Sequence, residues 1–189
     1  MYTACTLDRV PLPRFQRLAP EERRRILAVA ARHIADRGLD GISLGQLADE
    51  AEISRSALYT YFDGRDDVIT AATAAAGSAV AEAVGAWNRH ADPERFWSAL
   101  DDALTRMRQL LTERPELREL GDGAADGLNG WLDEVLADAD ALGLVTAPNR
   151  AFARASTAAI IGAADSLEAA QPGAVAPGDV RHMLARIWS

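Results

Sequence analysis

The chain has 189 residues, 49% of them hydrophobic and 25% charged, enough to bury a core without disulfides or metals to staple it. A formal charge of −8 argues against a protein that coats nucleic acid, because phosphate contacts dominate such binding. A single cysteine, Cys5, excludes an intramolecular disulfide and suits a cytoplasmic setting.

The charge is unevenly spread. Up to residue 70 there are ten arginines against eleven acids; after it, ten against seventeen. All basic residues are arginine, whose fork suits phosphate and guanine. A GC-rich coding sequence yields the same bias. Residues 1–19 include Asp8, Arg9, Arg14 and Arg17 without an apolar run, so no secretory signal is expected. No apolar run reaches the roughly eighteen residues of a membrane helix, and no membrane partner is expected.

In chain order, residues 1–18 read as a flexible arm, since Pro11 and Pro13 oppose helix. Arg9, Arg14 and Arg17 give that arm a possible DNA contact; a solvated tail is the simpler reading. Pro20, followed by Glu21 and Glu22, opens a helix. Its stripe of Ile26, Leu27, Ala30, Ala31 and Ile34 faces a core, and Gly38 ends it. Ser43 and Gln46 form a capping box for a second helix, with Leu44, Leu47, Ala48 and Ala51 inward. Glu52 and Ile53 make a turn. Ser54 caps a third helix over residues 55–62, which Asp63 and Gly64 break.

A fourth, alanine-rich helix is expected over about 65–89, and a fifth over 93–113 with Phe96, Leu100, Leu104, Met107 and Leu111 in register. A short piece from Pro115 carries Leu117 and Leu120. Gly121, Gly123 and Gly127 loosen the chain before a helix over about 124–142; the glycines of 121–130 read either as a wall that flexes around a ligand or as ordinary loop. Pro148 opens the next helix, to about residue 170. Pro177 and Gly178 precede the last, with Val180, Met183, Leu184, Ile187 and Trp188. Strand signals are nearly absent, so the fold class is all-α.

Residues 43–65 carry the function. A short helix, a tight turn and a second capped helix form a helix-turn-helix, whose second helix enters the major groove. Leu44, Leu47, Ala48, Ile53, Ala57, Leu58 and Phe62 fix the helix pair. Arg55, Ser56, Tyr59, Thr60 and Tyr61 fall mostly outward and suit base edges and phosphates. The helix starts near Ser43 and Arg65 can present backbone N–H groups to phosphate.

The wider stretch of residues 26–69 resembles the DNA-binding head of the TetR family of repressors. The likeness rests on Ala30-Ala31, Gly38, Ser43, Leu47-Ala48, Ile53-Ser54, Leu58-Tyr59, Tyr61-Phe62 and the basic Arg65. It implies a three-helix head (residues 19–64) and a six-helix ligand-binding and dimerisation body (65–189). It further implies a homodimer that a small-molecule effector releases from double-stranded operator DNA. By position, Tyr59 and Tyr61 would contact phosphate or bases, Arg65 would hold phosphate, and Arg55 and Ser56 would read bases. The family's turn usually has glycine where Glu52 stands, and lysine where Arg65 stands. Glu52, Asp66 and Asp67 add negative charge there, so weaker or more salt-sensitive operator binding is expected than from a lysine-rich head.

In the body, Trp87, Trp97, Met107, Trp131 and Phe152 are candidates for an apolar effector pocket. Plain core packing explains each one taken singly. Phe152, Ala155, Ala159, Ile160, Ala163 and Leu167 on one helix, with Leu184, Ile187 and Trp188 on the last, are candidates for a four-helix dimer interface. No enzyme is expected. Cys5 has no adjacent base. His33, His90 and His182 are scattered, His33 being read as a surface or interface residue. The pairs Asp101-Asp102 and Asp133-Glu134 are solvated helix faces. No phosphate loop, metal motif or cofactor signature is present. The alternative function is a helical ligand-sensing or interaction module without DNA binding.

Overall fold

The computed structural model describes residues 11–146, 149–176 and 178–189, and for 122–126 the backbone alone. Among the described residues ten α-helices connect in sequence: α1 (Pro13–Gln16), α2 (Pro20–Arg37), α3 (Leu44–Glu50), α4 (Arg55–Tyr61), α5 (Arg65–Val84), α6 (Pro93–Glu113), α7 (Glu116–Glu119), α8 (Gly121–Ala141), α9 (Arg150–Ala170) and α10 (Asp179–Trp188). No strand occurs among the described residues, and the all-α expectation holds. The expected helix openers Pro148 and Pro177 lie outside the described residues.

Two compact units form. The first takes the described residues up to Ala76 together with Pro115–Ala124; the second takes Gly77–Arg114 and Ala125–Ser189. The expected border at residues 64 and 65 differs from this division. The first turns of α5 bury Val68, Ala71, Ala72 and Ala76, so a long helix belongs to both units.

In the first unit, Ile26, Val29, Ala30 and Ile34 of α2 meet a core that includes Leu47, Ala48, Leu58 and Phe62. The short α7 packs against α2 and buries Leu117. The loose arm expected over residues 1–18 is corrected over its second half. Pro13 stands at a helix start, where its missing N–H costs nothing. Phe15 beside it is 3% exposed, its ring 4.7 Å from that of Phe62 and 6.1 Å from that of Tyr61. The Leu12 N–H donates to the Tyr61 carbonyl at 3.0 Å. Arg9 lies outside the described residues.

In the second unit, α5 ends at Val84 rather than near residue 89. Gly85 follows at φ +76, a left-handed geometry that suits glycine. Arg106 then donates to the Ala83 and Val84 carbonyls at 3.0 and 2.7 Å, satisfying acceptors that a helix end leaves open. Asp92 caps α6 by accepting from the Arg95 N–H at 2.9 Å, with Pro93 at the first position. Phe96, Leu100, Leu104, Met107 and Leu111 are buried along its inner face.

The glycines of residues 121–130 form no loop: α8 is continuous from Gly121. Gly127 serves a close helix approach instead. A Cβ there would come within 2.2 Å of the Gly77 carbonyl oxygen. By length and composition α5 could cross a membrane, which the sequence reading did not expect. Its apolar character comes largely from alanine, and Val80 and Val84 are buried inside the protein.

The last helix docks on its own chain. Trp188 is fully buried, its ring stacked 5.4 Å from Trp97, and its Nε1 donates to Thr157 Oγ1 at 2.9 Å. Thr157 in turn donates to the Ala153 carbonyl. Leu184 is also fully buried. Leu184 and Trp188 are therefore corrected: they fill the core of this chain and are not available to a dimer face. A ring as large as tryptophan takes the nearest apolar partners, which here are intramolecular.

Candidate nucleic-acid interface

The serines fix where α3 and α4 begin. Ser43 Oγ accepts from the Gln46 N–H at 3.5 Å, and Ser54 Oγ accepts from the Ala57 N–H at 3.1 Å. The Gln46 side chain accepts from Arg37 at 2.6 Å, so it ties α3 to α2 rather than completing a capping box. Between α3 and α4 the chain turns in a Schellman geometry. The Ile53 N–H donates to the Ala48 carbonyl at 3.0 Å, and the Glu52 N–H to that of Asp49 at 3.2 Å. This geometry requires a left-handed residue, and Glu52 supplies it at φ 54, the only non-glycine positive φ among the described residues. For a residue with a Cβ that conformation costs roughly 1–2 kcal/mol.

With Leu58 and Phe62 buried, the outer side of α4 presents Arg55, Ser56 and Tyr59, all exposed; Tyr59 is 61% exposed. Arg55 reaches back across the first turn of α3. A Cβ on Gly45 would lie 3.3 Å from its Cζ, and its guanidinium is 3.4 Å from Asp49. Thr60 turns inward, donating to the Ala57 carbonyl at 2.7 Å. Tyr61 is half-buried against Phe15. Ser43 is half-buried, its hydroxyl engaged in the cap. Arg65 donates to the Asp40 carbonyl at 2.9 Å and stands 3.5 Å from the Asp40 carboxylate.

Arg55 and Arg65 thus sit against acids of the same chain, as do two more arginines nearby. Arg25 pairs with Glu52 at 3.3 Å and Arg24 with Glu21 at 3.2 Å. These exposed pairs are weak and break easily. The sequence reading missed Asp40 and Asp49 as partners, because their separation from Arg65 and Arg55 along the chain carries no helical period. His33 is also corrected. It is 2% exposed, with Nε2 2.9 Å from a Glu50 carboxylate oxygen, an ion-pair distance without hydrogen-bond alignment. It links α2 to α3, because its position on α2 falls on the face that α3 covers.

Of the expected pocket residues, Trp97, Met107 and Trp131 are buried and Trp87 is half-buried. Trp87 and Trp131 meet edge to face at 5.6 Å, and Phe96 lies 5.3 Å from Trp87 and 5.2 Å from Trp97. Phe152 is corrected as a pocket residue, being 67% exposed on α9. Ala155, Ala159, Ala163 and Leu167 are exposed on the same helix, with Ile160 and, on α10, Ile187 half-buried; Met183 joins them, exposed.

One body site escaped the sequence. Asp138 of α8 is 2% exposed and accepts from Trp87 Nε1 at 3.1 Å and the His90 backbone N–H at 3.2 Å. The His90 ring Nδ1 lies 2.8 Å from it. The residues are too far apart in sequence for a spacing rule to join them. No cluster of three or more His, Cys, Asp or Glu suited to a metal occurs among the described residues.

Residues 26–72 match the model of the bacterial regulatory proteins, tetR family. A putative tetR family transcription regulator from Shewanella sp. PV-4 is similar in structure, with TM-score 0.70, 14% identity and coverage of 88% of this chain and 95% of that one. A TetR family transcription regulator from Marinobacter aquaeolei VT8 gives 0.68, 17%, 88% and 93%. The fatty acid degradation regulator FadR from Bacillus halodurans gives 0.65, 15%, 91% and 96%. No curated protein sequence matches. Residues 26–72 thus resemble the tetR family of bacterial regulatory proteins in sequence, and the chain shares the fold of the structures above.

Proposed function

We propose that the chain is a dimeric transcription repressor that binds operator DNA through α4 and releases it on binding a small molecule. One observation carries this reading: Arg55, Ser56 and Tyr59 stand exposed on a helix whose opposite side is locked into the core by Leu58 and Phe62. A short helix so held offers a rigid reading edge to a major groove. Arg65, Tyr61, Thr60 and Ser43 flank it, with Arg65 the phosphate contact among them.

Two heads must face one duplex about 34–36 Å apart, so a repressor of this kind works as a dimer. We place the dimer surface on α9, where Phe152 and Leu167 are 67% and 44% exposed, with small residues between them that admit a close partner helix. Large apolar side chains left in water favour such a partner. The effector is placed in the body, beside Trp87, Trp97, Met107 and Trp131. Trp131 Nε1 is buried without an acceptor among the described residues; an acceptor on a ligand would satisfy it. No enzymatic role is proposed.

The test is a titration of the duplex upstream of the protein's own reading frame, followed by anisotropy. Binding is expected, and Arg55→Ala or Tyr59→Ala is expected to weaken it by about 1–3 kcal/mol without shifting the melting temperature. A protein that passes through heparin and duplex DNA columns at low salt sinks the reading. A ligand-sensing module without DNA binding is favoured by one observation, the acidity of residues 39–67, with seven acids against two arginines. That flow-through result would select it.

A further inference from the structure

We infer that α1 is a second DNA-contacting element: Arg14 and Arg17, held beside the recognition helix by Phe15, bind duplex phosphates. The inference rests on the DNA-binding reading above and names one source of the positive charge that reading needs.

The need arises from the helix-turn-helix itself. Residues 39–67 carry seven acids and two arginines, and both arginines sit against acids, Arg55 on Asp49 and Arg65 on Asp40. A protein that binds DNA has to neutralise phosphates with cations, so a net-negative segment needs cations beside it. Residues 11–18 have two arginines and no acid. Arg14 and Arg17 are exposed, and neither side chain has an ion-pair partner among the described residues. Arg23 joins them. It donates to the Gln16 carbonyl at 2.8 Å, which spends one N–H, and its charge has no ion-pair partner among the described residues.

The buried Phe15 sits between the two arginines in sequence and packs on Tyr61 and Phe62, at the C-terminal end of α4. The Leu12 bond to the Tyr61 carbonyl fixes the same contact from the backbone. The patch therefore lies beside the C-terminal end of α4, while Arg55 occupies the N-terminal end. Phosphates flank a major groove closely, at one charge per roughly 1.7 Å of helix axis, so an element next to the reading helix meets backbone rather than base edges. Phe15 is a positioning residue: its ring anchors the cations and touches no DNA.

The experiment measures binding of a short mixed-sequence duplex, and of the upstream duplex, from roughly 50 to 200 mM salt. Arg14→Gln with Arg17→Gln is expected to flatten the slope of log affinity against log salt by about two, since each phosphate contact contributes about 0.9. Phe15→Ala, which changes no charge, is expected to flatten it similarly by undocking α1. Arg89→Gln with Arg186→Gln, two exposed body arginines, matches the loss of charge and is expected to leave the slope unchanged. An unaltered slope in the first variant, with wild-type protein still binding, overturns the inference alone. The same flattening in the control pair also overturns it, assigning the effect to net charge. A wild-type protein that binds neither duplex overturns the parent reading and this inference together.

Discussion

The head and the body place their polar chemistry on opposite sides of the surface. In the head, the arginines, Tyr59 and most of the acids are exposed, and their ion pairs at 3.2–3.5 Å are solvated. In the body, Asp138 and Thr157 are 2% and 0% exposed and are fully engaged with tryptophan and backbone groups. The same residue types thus do different work. Solvated pairs exchange partners at little cost, which the proposed contact with DNA would need. Buried polar groups cost their full desolvation when a partner is lost, so they define one arrangement of helices.

The largest effect is expected at Asp138. Asp138→Ala strands the donors of Trp87 and His90 and is expected to destabilise the protein by about 3 kcal/mol, read by denaturant unfolding. An unaffected midpoint would show that the body's buried polar network is dispensable. Next is the close approach of α5 and α8. Gly127→Ala places a methyl against the Gly77 carbonyl; the overlap outweighs alanine's helix preference, for a net loss of about 1–2 kcal/mol in the same assay.

The head offers a change in the other direction. Glu52→Gly is expected to stabilise the protein by about 1 kcal/mol, because glycine takes φ 54 without strain. It also removes a negative charge from the reading surface and tightens duplex binding. Glu52→Ala separates the two effects, tightening binding while keeping the strain. Equal melting temperatures for glycine and alanine variants would refute the strain account.

The smallest effect concerns Glu168, whose carboxylate accepts from the Gly173 and Val175 N–H groups at 2.8 and 3.0 Å. The Gly173 bond first, and then that of Val175, hold its pKa below the usual glutamate range. Its folded value is depressed, so its contribution is fully present above the unfolded value of about 4.3. That contribution is lost as pH falls through the folded value. Hydrogen-exchange protection of the Gly173 and Val175 amides should fall in that acid window and be weak at every pH in Glu168→Ala. Protection that ignores both changes would remove the carboxylate from the turn.

What could be read along the chain was local. Helix faces, Ser43 and Ser54 as caps, the proline starts and the short tyrosine-bearing helix all follow from neighbours within a few residues, because capping and helical periodicity act over that range. The head was accordingly the more legible region. Pro11 and Pro13 misled for a related reason: proline opposes helix continuation yet suits a helix start, and only the docking of Phe15 selects between them.

The sequence by itself determined an all-helical chain with a helix-turn-helix near one end, since propensity, caps and helical periodicity are read within a few residues. Tertiary structure alone decided which side chains met across the chain: Phe15 on Phe62, His33 beside Glu50, Asp138 beneath Trp87 and His90, Gly127 against Gly77, and Trp188 inward rather than toward a partner. Those contacts join residues whose separation has no period, and burial against whatever lies nearest fixes them once the helices pack.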